Sequence, residues 1–352
     1  MDNVYRVAVV GATGQVGTLI LELLRARAFP AREIVAFASE RSSGRELAGA
    51  GVDGADLVVK GLSDESIEGF DIALFSAGGS TSGKWAPKFA DAGAVVIDNS
   101  SKWRMQEDVP LVVSEVNPDT LAEHHGIVAN PNCSTMQMVV ALAPLHREAG
   151  IERLVVSTFQ AVSGTGRRAV DELLDQSHAL LHGREIQTPD AYAHQIAFNA
   201  LPHAGSFADG DDHTDEERKL IDETRKILGD QEIGVSATCV RVPVLNGHSE
   251  AVNVQTKDPL SPTRARELLE AAPGVEVLDD PAGALYPLAI EASGRDEVFV
   301  GRIRRDPGNV RALDLWIVAD NLRKGAALNA VQLAELLDER DLIAPRAGAI
   351  GA

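Results

Sequence analysis

A short apolar run, residues 4–10, passes directly into Gly11-Ala-Thr-Gly14-Gln-Val-Gly17 and then into Leu19, Ile20, Leu23 and Leu24 at helical spacing. A strand that enters a helix through closely spaced glycines leaves few folds open. Glycine there permits a tight turn and close approach of a bound group to the backbone, and the helix N-terminus offers unpaired N–H groups to an anion. The spacing is GxxGxxG rather than GxGxxG, so taken alone the motif also fits an ordinary strand-to-helix turn. The following sequence favours the nucleotide reading. Strand-like runs at 34–38, 57–59, 72–75, 95–97 and 126–129 alternate with helical patterns, the signature of a parallel sheet built from βαβ units.

Beyond residue 150 the pattern changes. Runs at 154–161, 235–244, 251–255, 298–303 and 312–318 read as strands of another sheet, with helices expected at 170–181 and 216–228. The acidic stretch 208–217 lacks the central Gly and terminal Glu of a calcium loop, whereas Thr214 and Glu217 make a capping box. A last helical pattern, 322–337, can return to the first domain, and the Gly/Ala-rich tail from Ala344 is expected to fray. The expected fold class is α/β: a doubly wound Rossmann-type nucleotide domain (residues 1–132 plus 324–352) with a second, α+β domain at 133–323.

Composition narrows the partners. The 352 residues carry 33 Lys plus Arg against 52 Asp plus Glu, a net charge of −19, so no basic face is available for nucleic acid or an anionic membrane. The two cysteines, Cys133 and Cys239, lack the spacing of a disulfide framework or zinc site, and no metal is expected. With no export signal and no window of about 18 apolar residues, a reducing cytoplasm is the expected location.

Cys133 stands in Asn130-Pro-Asn-Cys-Ser-Thr135, between an expected strand and an expected helix. A thiol there gains from the helix dipole, and nearby amides can hold an oxyanion. Cys239 lies in an apolar run and reads as a buried small hydrophobe. His248, in the polar turn Asn246-Gly-His-Ser249, is the best placed of nine histidines to serve as partner base, while His124 and His125 read as surface residues. Arg241 interrupts an apolar strand, so either a buried structural carboxylate or a substrate anion must neutralise it. After the second strand, Arg41 and Ser42 stand where an adenosine ribose would lie, and Arg41 suits a 2′-phosphate, favouring NADP over NAD although Glu40 opposes it. Residues 76–82 form a second small-residue loop suited to the diphosphate or nicotinamide.

Together these segments resemble the aspartate-β-semialdehyde dehydrogenase family from Val9 to about Leu337. The marks are the Gly11–Gly17 run, Asp98-Asn-Ser-Ser-Lys-Trp-Arg104, the Asn130–Thr135 segment, Gln160-Ala-Val-Ser-Gly164, Cys239-Val-Arg-Val-Pro243, Gly247-His-Ser249 and Lys324-Gly-Ala-Ala327. The resemblance implies NADPH-dependent conversion of 4-aspartyl phosphate to L-aspartate 4-semialdehyde and inorganic phosphate, in biosynthesis of lysine and diaminopimelate, threonine, methionine and isoleucine. The second domain would also carry a dimer interface, giving a homodimer or tetramer. Cys133 would form the acyl thioester and His248 would be the general acid/base. Gln160 would orient the substrate, Arg241 would pair with its α-carboxylate and Glu216 with its ammonium. Arg104 and Lys219 would hold the phosphate. Gly11, Thr13, Gly14, Gln15, Val16, Arg41, Ser42, Ser163, Gly164 and Gln332 would meet NADP. Ser114 and Phe159 depart from residues frequent in relatives, at positions expected to lie outside the chemistry. The rival readings are an N-acetyl-glutamyl-phosphate reductase, which has no use for Glu216, and a non-catalytic NADP sensor, which needs neither Cys133 nor His248.

Overall fold

A computed structural model describes residues 4–207 and 210–343. The chain divides into two compact units, one running to Pro131 and resuming at Ala326, the other spanning Asn132–Gly325. Ala208, at the head of the acidic stretch, and the tail from Ala344 lie outside the described residues.

In the first unit β1 (Tyr5–Val10) leads through the glycines into α1 (Gln15–Ala26) and β2 (Ala31–Phe37). A small hairpin, β3 (Glu46–Leu47) and β4 (Leu57–Val58), precedes β5 (Ile72–Phe75), α2 (Gly79–Asp91), β6 (Val95–Asp98) and β7 (Ile127–Ala129). The main sheet is wholly parallel, in the order β2-β1-β5-β6-β7. Strands β5 and β6 are buried at every residue, as parallel strands covered on both faces must be. The expected loop at 76–82 is in part helical: Gly79–Ser82 opens α2. Glycine and serine are poor helix formers, but Trp85, Ala86 and Phe89 on the same helix are buried and override them.

The second unit contains α3 (Cys133–Ala149), β8 (Ile151–Gln160), α4 (Arg167–Leu181), α5 (Asp215–Leu228), β9 (Gly234–Arg241), β10 (His248–Thr256), α6 (Pro262–Glu270), β11 (Val275–Val277), α7 (Ala289–Ala292), β12 (Val298–Arg305) and β13 (Ala312–Ala319). Its six strands form a mixed sheet in the order β11-β12-β13-β10-β8-β9. Alternation is clean along β8 from Leu154 and along β10 from Glu250: in β8, Leu154, Val156, Thr158 and Gln160 are buried while Val155, Ser157 and Phe159 are half-exposed. The buried face lies under α3, which is apolar nearly all round from Met136 to Leu145 and correspondingly buried.

The last helical pattern splits into a π-helical segment, Arg323–Leu328, and α8 (Asn329–Glu339), which joins the first unit. There Val331, Leu333, Ala334 and Leu337 pack in one core with Ile20, Leu23 and Leu24 of α1. Among the described residues no helix is long and apolar enough to cross a membrane, and no cluster of His, Cys, Asp or Glu is suited to a metal.

Candidate active site

Helix α3 begins at Cys133 because Asn132 caps it. The Asn132 side chain accepts from Ser134 N at 3.0 Å and Thr135 N at 3.2 Å, while Pro131 interrupts any earlier helical turn. Cys133 is half-exposed at this first helical position, although Ser134 through Ala143 are buried. Gly325 lies against it: a Cβ there would stand 2.7 Å from Cys133 Cβ, so only glycine leaves the thiol its place. The cap revises one expectation. Two of the first-turn amides that were to hold an oxyanion are occupied by Asn132.

Around the thiol the second unit gathers a charged network. Glu216 Oε1 accepts from Asn132 Nδ2 and from Gln160 Nε2, both at 2.9 Å, and Gln160 Nε2 also donates to Ser134 Oγ at 2.7 Å. Lys219 Nζ donates to Asp215 at 2.6 Å and to Glu216 Oε2 at 3.2 Å. The helix that presents Glu216 starts with the anticipated capping box, Thr214 with Glu217. Burial opposes ionisation of Glu216, but Lys219, Asn132, Gln160 and Arg241 outweigh it and hold the carboxyl at about 2. Glu216 is therefore a buried anion rather than half of a solvated surface pair.

His248 is fully buried at the start of β10. Its Nδ1 accepts from Ala161 N at 3.0 Å, so the neutral ring carries its proton on Nε2, which has no hydrogen-bond partner among the described residues. Burial first, and then Arg241, pull its pKa down from 6.5 to about 3, against the opposing pull of Glu216. Arg241 donates to Ala161 O at 2.7 Å, leaves Nε unbonded and has no carboxylate in ion-pair range among the described residues. Of the two ways to neutralise it, a direct ion pair with a carboxylate does not occur among the described residues; Glu216 acts on it only from beyond ion-pair range. Gly164 keeps this corner open: a Cβ on it would lie 3.0 Å from Arg241 and 3.1 Å from His248 Nε2. Ser163 Oγ donates to Asn246 at 3.0 Å and accepts from Asn321 at 2.9 Å.

The first unit holds the remaining expected residues. Arg104 is buried and donates to Asn130 O at 2.9 Å and Asn99 O at 2.7 Å. The glycine turn fits a dinucleotide. Gly11 has φ +87°, a Cβ there would strike the Ser76 carbonyl, and one on Gly17 would strike the Gly11 carbonyl. Gly14 caps α1 without a side-chain acceptor, leaving first-turn amides of Gln15 and Val16 for an anion beside Thr13, and Gln15 Oε1 is buried without a partner among the described residues. Arg41 is exposed beside the half-exposed Ser42 on a short turn and makes no ion pair among the described residues. The Gln332 amide donates to Glu115 at 3.2 Å and accepts from Ser114 Oγ at 3.1 Å. Ser114, expected to lie apart from the chemistry, thus bonds directly to a proposed cofactor residue. Phe159 instead stacks on Trp316 at 5.5 Å, on the face of the sheet away from Gln160. His124 also differs from expectation: it is half-buried, with Nε2 3.2 Å from Leu342 O.

Comparison with known proteins separates the readings. Residues 6–124 match the family described as semialdehyde dehydrogenase, NAD binding domain, and residues 142–324 match semialdehyde dehydrogenase, dimerisation domain. The chain is 57% identical over 342 residues to the aspartate-semialdehyde dehydrogenase of Aquifex aeolicus, covering 96% of this chain and 99% of that one. The chain belongs to the aspartate-semialdehyde dehydrogenase family. The enzyme of that name from Bacillus subtilis is 47% identical over 350 residues, covering 97% of this chain and all of the relative. The crystal structure of aspartate semialdehyde dehydrogenase II from Vibrio cholerae, complexed with ASA, superposes with a TM-score of 0.91 at 46% identity, covering 95% of this chain and 98% of that one. That of the Candida albicans enzyme with NADP gives 0.74 at 27%, covering 97% and 100%. Membership of this family makes the chain an oxidoreductase with a nicotinamide-binding domain and argues against the reductase and sensor readings.

Two buried residues of this family member escaped the sequence reading. Glu223 accepts from Asn132 N at 2.7 Å, seven residues after Glu216 on one face of α5, and that spacing was a usable signal. Gly325 had only its motif to mark it.

Proposed function

We propose that the protein is an NADP-dependent, phosphorylating aspartate-semialdehyde dehydrogenase that reduces 4-aspartyl phosphate to L-aspartate 4-semialdehyde and phosphate. The observation that carries this reading is the pairing, beside one half-exposed thiol, of a buried Arg241 lacking a carboxylate partner among the described residues with the buried anion Glu216. A cation and an anion held together in this way suit an amino acid with both α-groups ionised. An N-acetylated substrate would bring Glu216 no ammonium group, leaving it only its present cation, Lys219.

In this mechanism Cys133 attacks the acyl phosphate carbonyl, a thioester forms and phosphate leaves, with Arg104 and Lys219 as its proposed counter-charges. Gln160, held by Glu216 and Ser134, orients the acyl group beside the sulfur. NADPH, held by the first unit, would supply the hydride that takes the thioester to a thiohemiacetal. His248 Nε2–H, without a hydrogen-bond partner among the described residues, would donate to the developing oxyanion; to serve as acid/base while the C–S bond breaks, the ring gives up Ala161 N and carries its neutral-state proton on Nδ1, so that Nε2 exchanges the proton. A substrate carboxylate on Arg241 cancels one of the causes that depress His248, so binding moves the imidazole towards its working range.

The first unit is assigned to NADP and the second to substrate and dimerisation. The half-exposed Phe159, Ala251 and Trp316 on one face of the sheet offer an apolar surface for a second copy. Two cysteines outside any disulfide, one at the proposed reaction centre, suit a reducing cytoplasm.

The test is absorbance of reduced nicotinamide with L-aspartate 4-semialdehyde, NADP and phosphate. Turnover that requires phosphate is the expected result. Turnover of N-acetyl-glutamate 5-semialdehyde in its place would overturn the assignment.

A further inference from the structure

Two residues beyond His248 on the same face of β10 lies Glu250, fully buried and outside the chemistry described above. It pairs across the sheet with Thr158, which in turn pairs with Cys239, so Glu250, Thr158 and Cys239 form a row one step deeper than Arg241 and Gln160. Helix α3 covers this row and contributes Gln137, also fully buried, one turn after Cys133.

Gln137 Nε2 donates to the His248 carbonyl at 3.3 Å, so a single side chain ties the helix that carries the thiol to the backbone that carries the imidazole. Its Oε1, by contrast, has no donor among the described residues, and neither oxygen of Glu250 has a hydrogen bond of normal geometry there, although the Gln137 amide is near enough to act on the carboxyl. An ionised Glu250 would set an unpaired anion in the core against another acceptor. A protonated one supplies the O–H that Gln137 Oε1 lacks.

We propose that Glu250 is a positioning residue for His248: as an uncharged acid it donates to Gln137 Oε1, and Gln137 then fixes the His248 backbone relative to Cys133. The inference rests on the acid/base role given to His248 above.

The surroundings agree. Facing Glu250 are Gln137 from α3, Thr158 from β8 and Ile317 from β13, with the Cys239 thiol one strand further on. No lysine, arginine or histidine forms an ion pair with it among the described residues. Burial raises the pKa of Glu250 well above the ordinary 4.5, with Gln137 opposing, and burial likewise pushes the Cys239 thiol up. A carboxyl raised on folding contributes fully below its unfolded pKa, and that contribution is lost as pH rises towards the folded value.

The test compares wild type, Glu250→Gln and Glu250→Leu, measuring thermal midpoints from mildly acidic to alkaline pH together with kcat and KM for the semialdehyde. Glu250→Gln keeps a donor and cannot ionise, so its midpoint should gain on wild type with each step upward in pH while its kcat stays within about threefold. Glu250→Leu removes the donor and should lower kcat about tenfold with KM nearly unchanged, because Glu250 touches no substrate. Should the leucine variant not fold, Gln137→Met carries the same kcat expectation. Melting curves of wild type and Glu250→Gln that run parallel across pH, or wild-type kcat in the leucine variant, would overturn the inference. If wild type turns over no semialdehyde, the functional reading fails, and the melting comparison still decides the state of Glu250.

Discussion

Cys133→Ser is expected to lower phosphate-dependent turnover by about 10³-fold or more while leaving the fold and NADP binding intact. Serine fits the first helical position, keeps the Asn132 cap and stays clear of Gly325, so packing changes little. What it loses is the nucleophile: a hydroxyl is a far weaker one than a thiol, and its ester is a poorer hydride acceptor than a thioester. Circular dichroism and cofactor titration would check that fold and NADP binding persist. A variant retaining even a tenth of wild-type turnover would remove Cys133 from the reaction.

Arg241→Met should lower kcat/KM by about 10² to 10³, mostly through KM, the scale of truncating one partner of a buried charge pair at about 3–4 kcal/mol. A pH signature accompanies the loss. In the oxidative direction His248 must be neutral, with its proton moved from Nε2 to Nδ1, to accept a proton at Nε2, so activity is lost as pH falls through its pKa. That pKa, lowered to about 3 by burial and by Arg241, keeps the acid limb of wild-type kcat/KM well below 6.5. Methionine preserves apolar volume but removes one of the two depressing causes, so the acid limb should move upward. A variant with unchanged KM would show that the guanidinium serves only Ala161 O, its present partner.

Elements announced by local chemistry were legible in the sequence. The Thr214/Glu217 box marked the start of α5, and the Asn130–Thr135 segment was placed between a strand and a helix, the helix that begins at Cys133. Strand β5 matches its apolar run at both ends. Less legible was anything decided by tertiary burial of polar residues. Strand β10 was expected only from Ala251, yet it starts at His248, because His248, Ser249 and Glu250 are polar in type and buried in fact. Polar residues read as loop unless something in the fold satisfies or neutralises them, and here Ala161 and Gln137 come from distant elements. Ser114 illustrates the same limit: its contact with Gln332 spans 218 residues of sequence, and no local pattern carries it. The identities of Cys133, His248, Gln160 and Arg241 were marked by motif order, whereas hydrogen-bond partners such as Ala161 for His248 and Arg241, and Ser134 for Gln160, appear only in three dimensions.

The most direct measurement is a phosphate-free single turnover with L-aspartate 4-semialdehyde and NADP, quenched in acid and analysed by peptide mass spectrometry. Without phosphate the acyl group has no acceptor but water. One equivalent of NADPH should therefore appear in a burst, and the peptide containing Cys133 should gain the mass of one aspartyl group. A burst without an adduct on that peptide, or phosphate-dependent turnover with the aspartyl group on another residue, would contradict a thioester at Cys133.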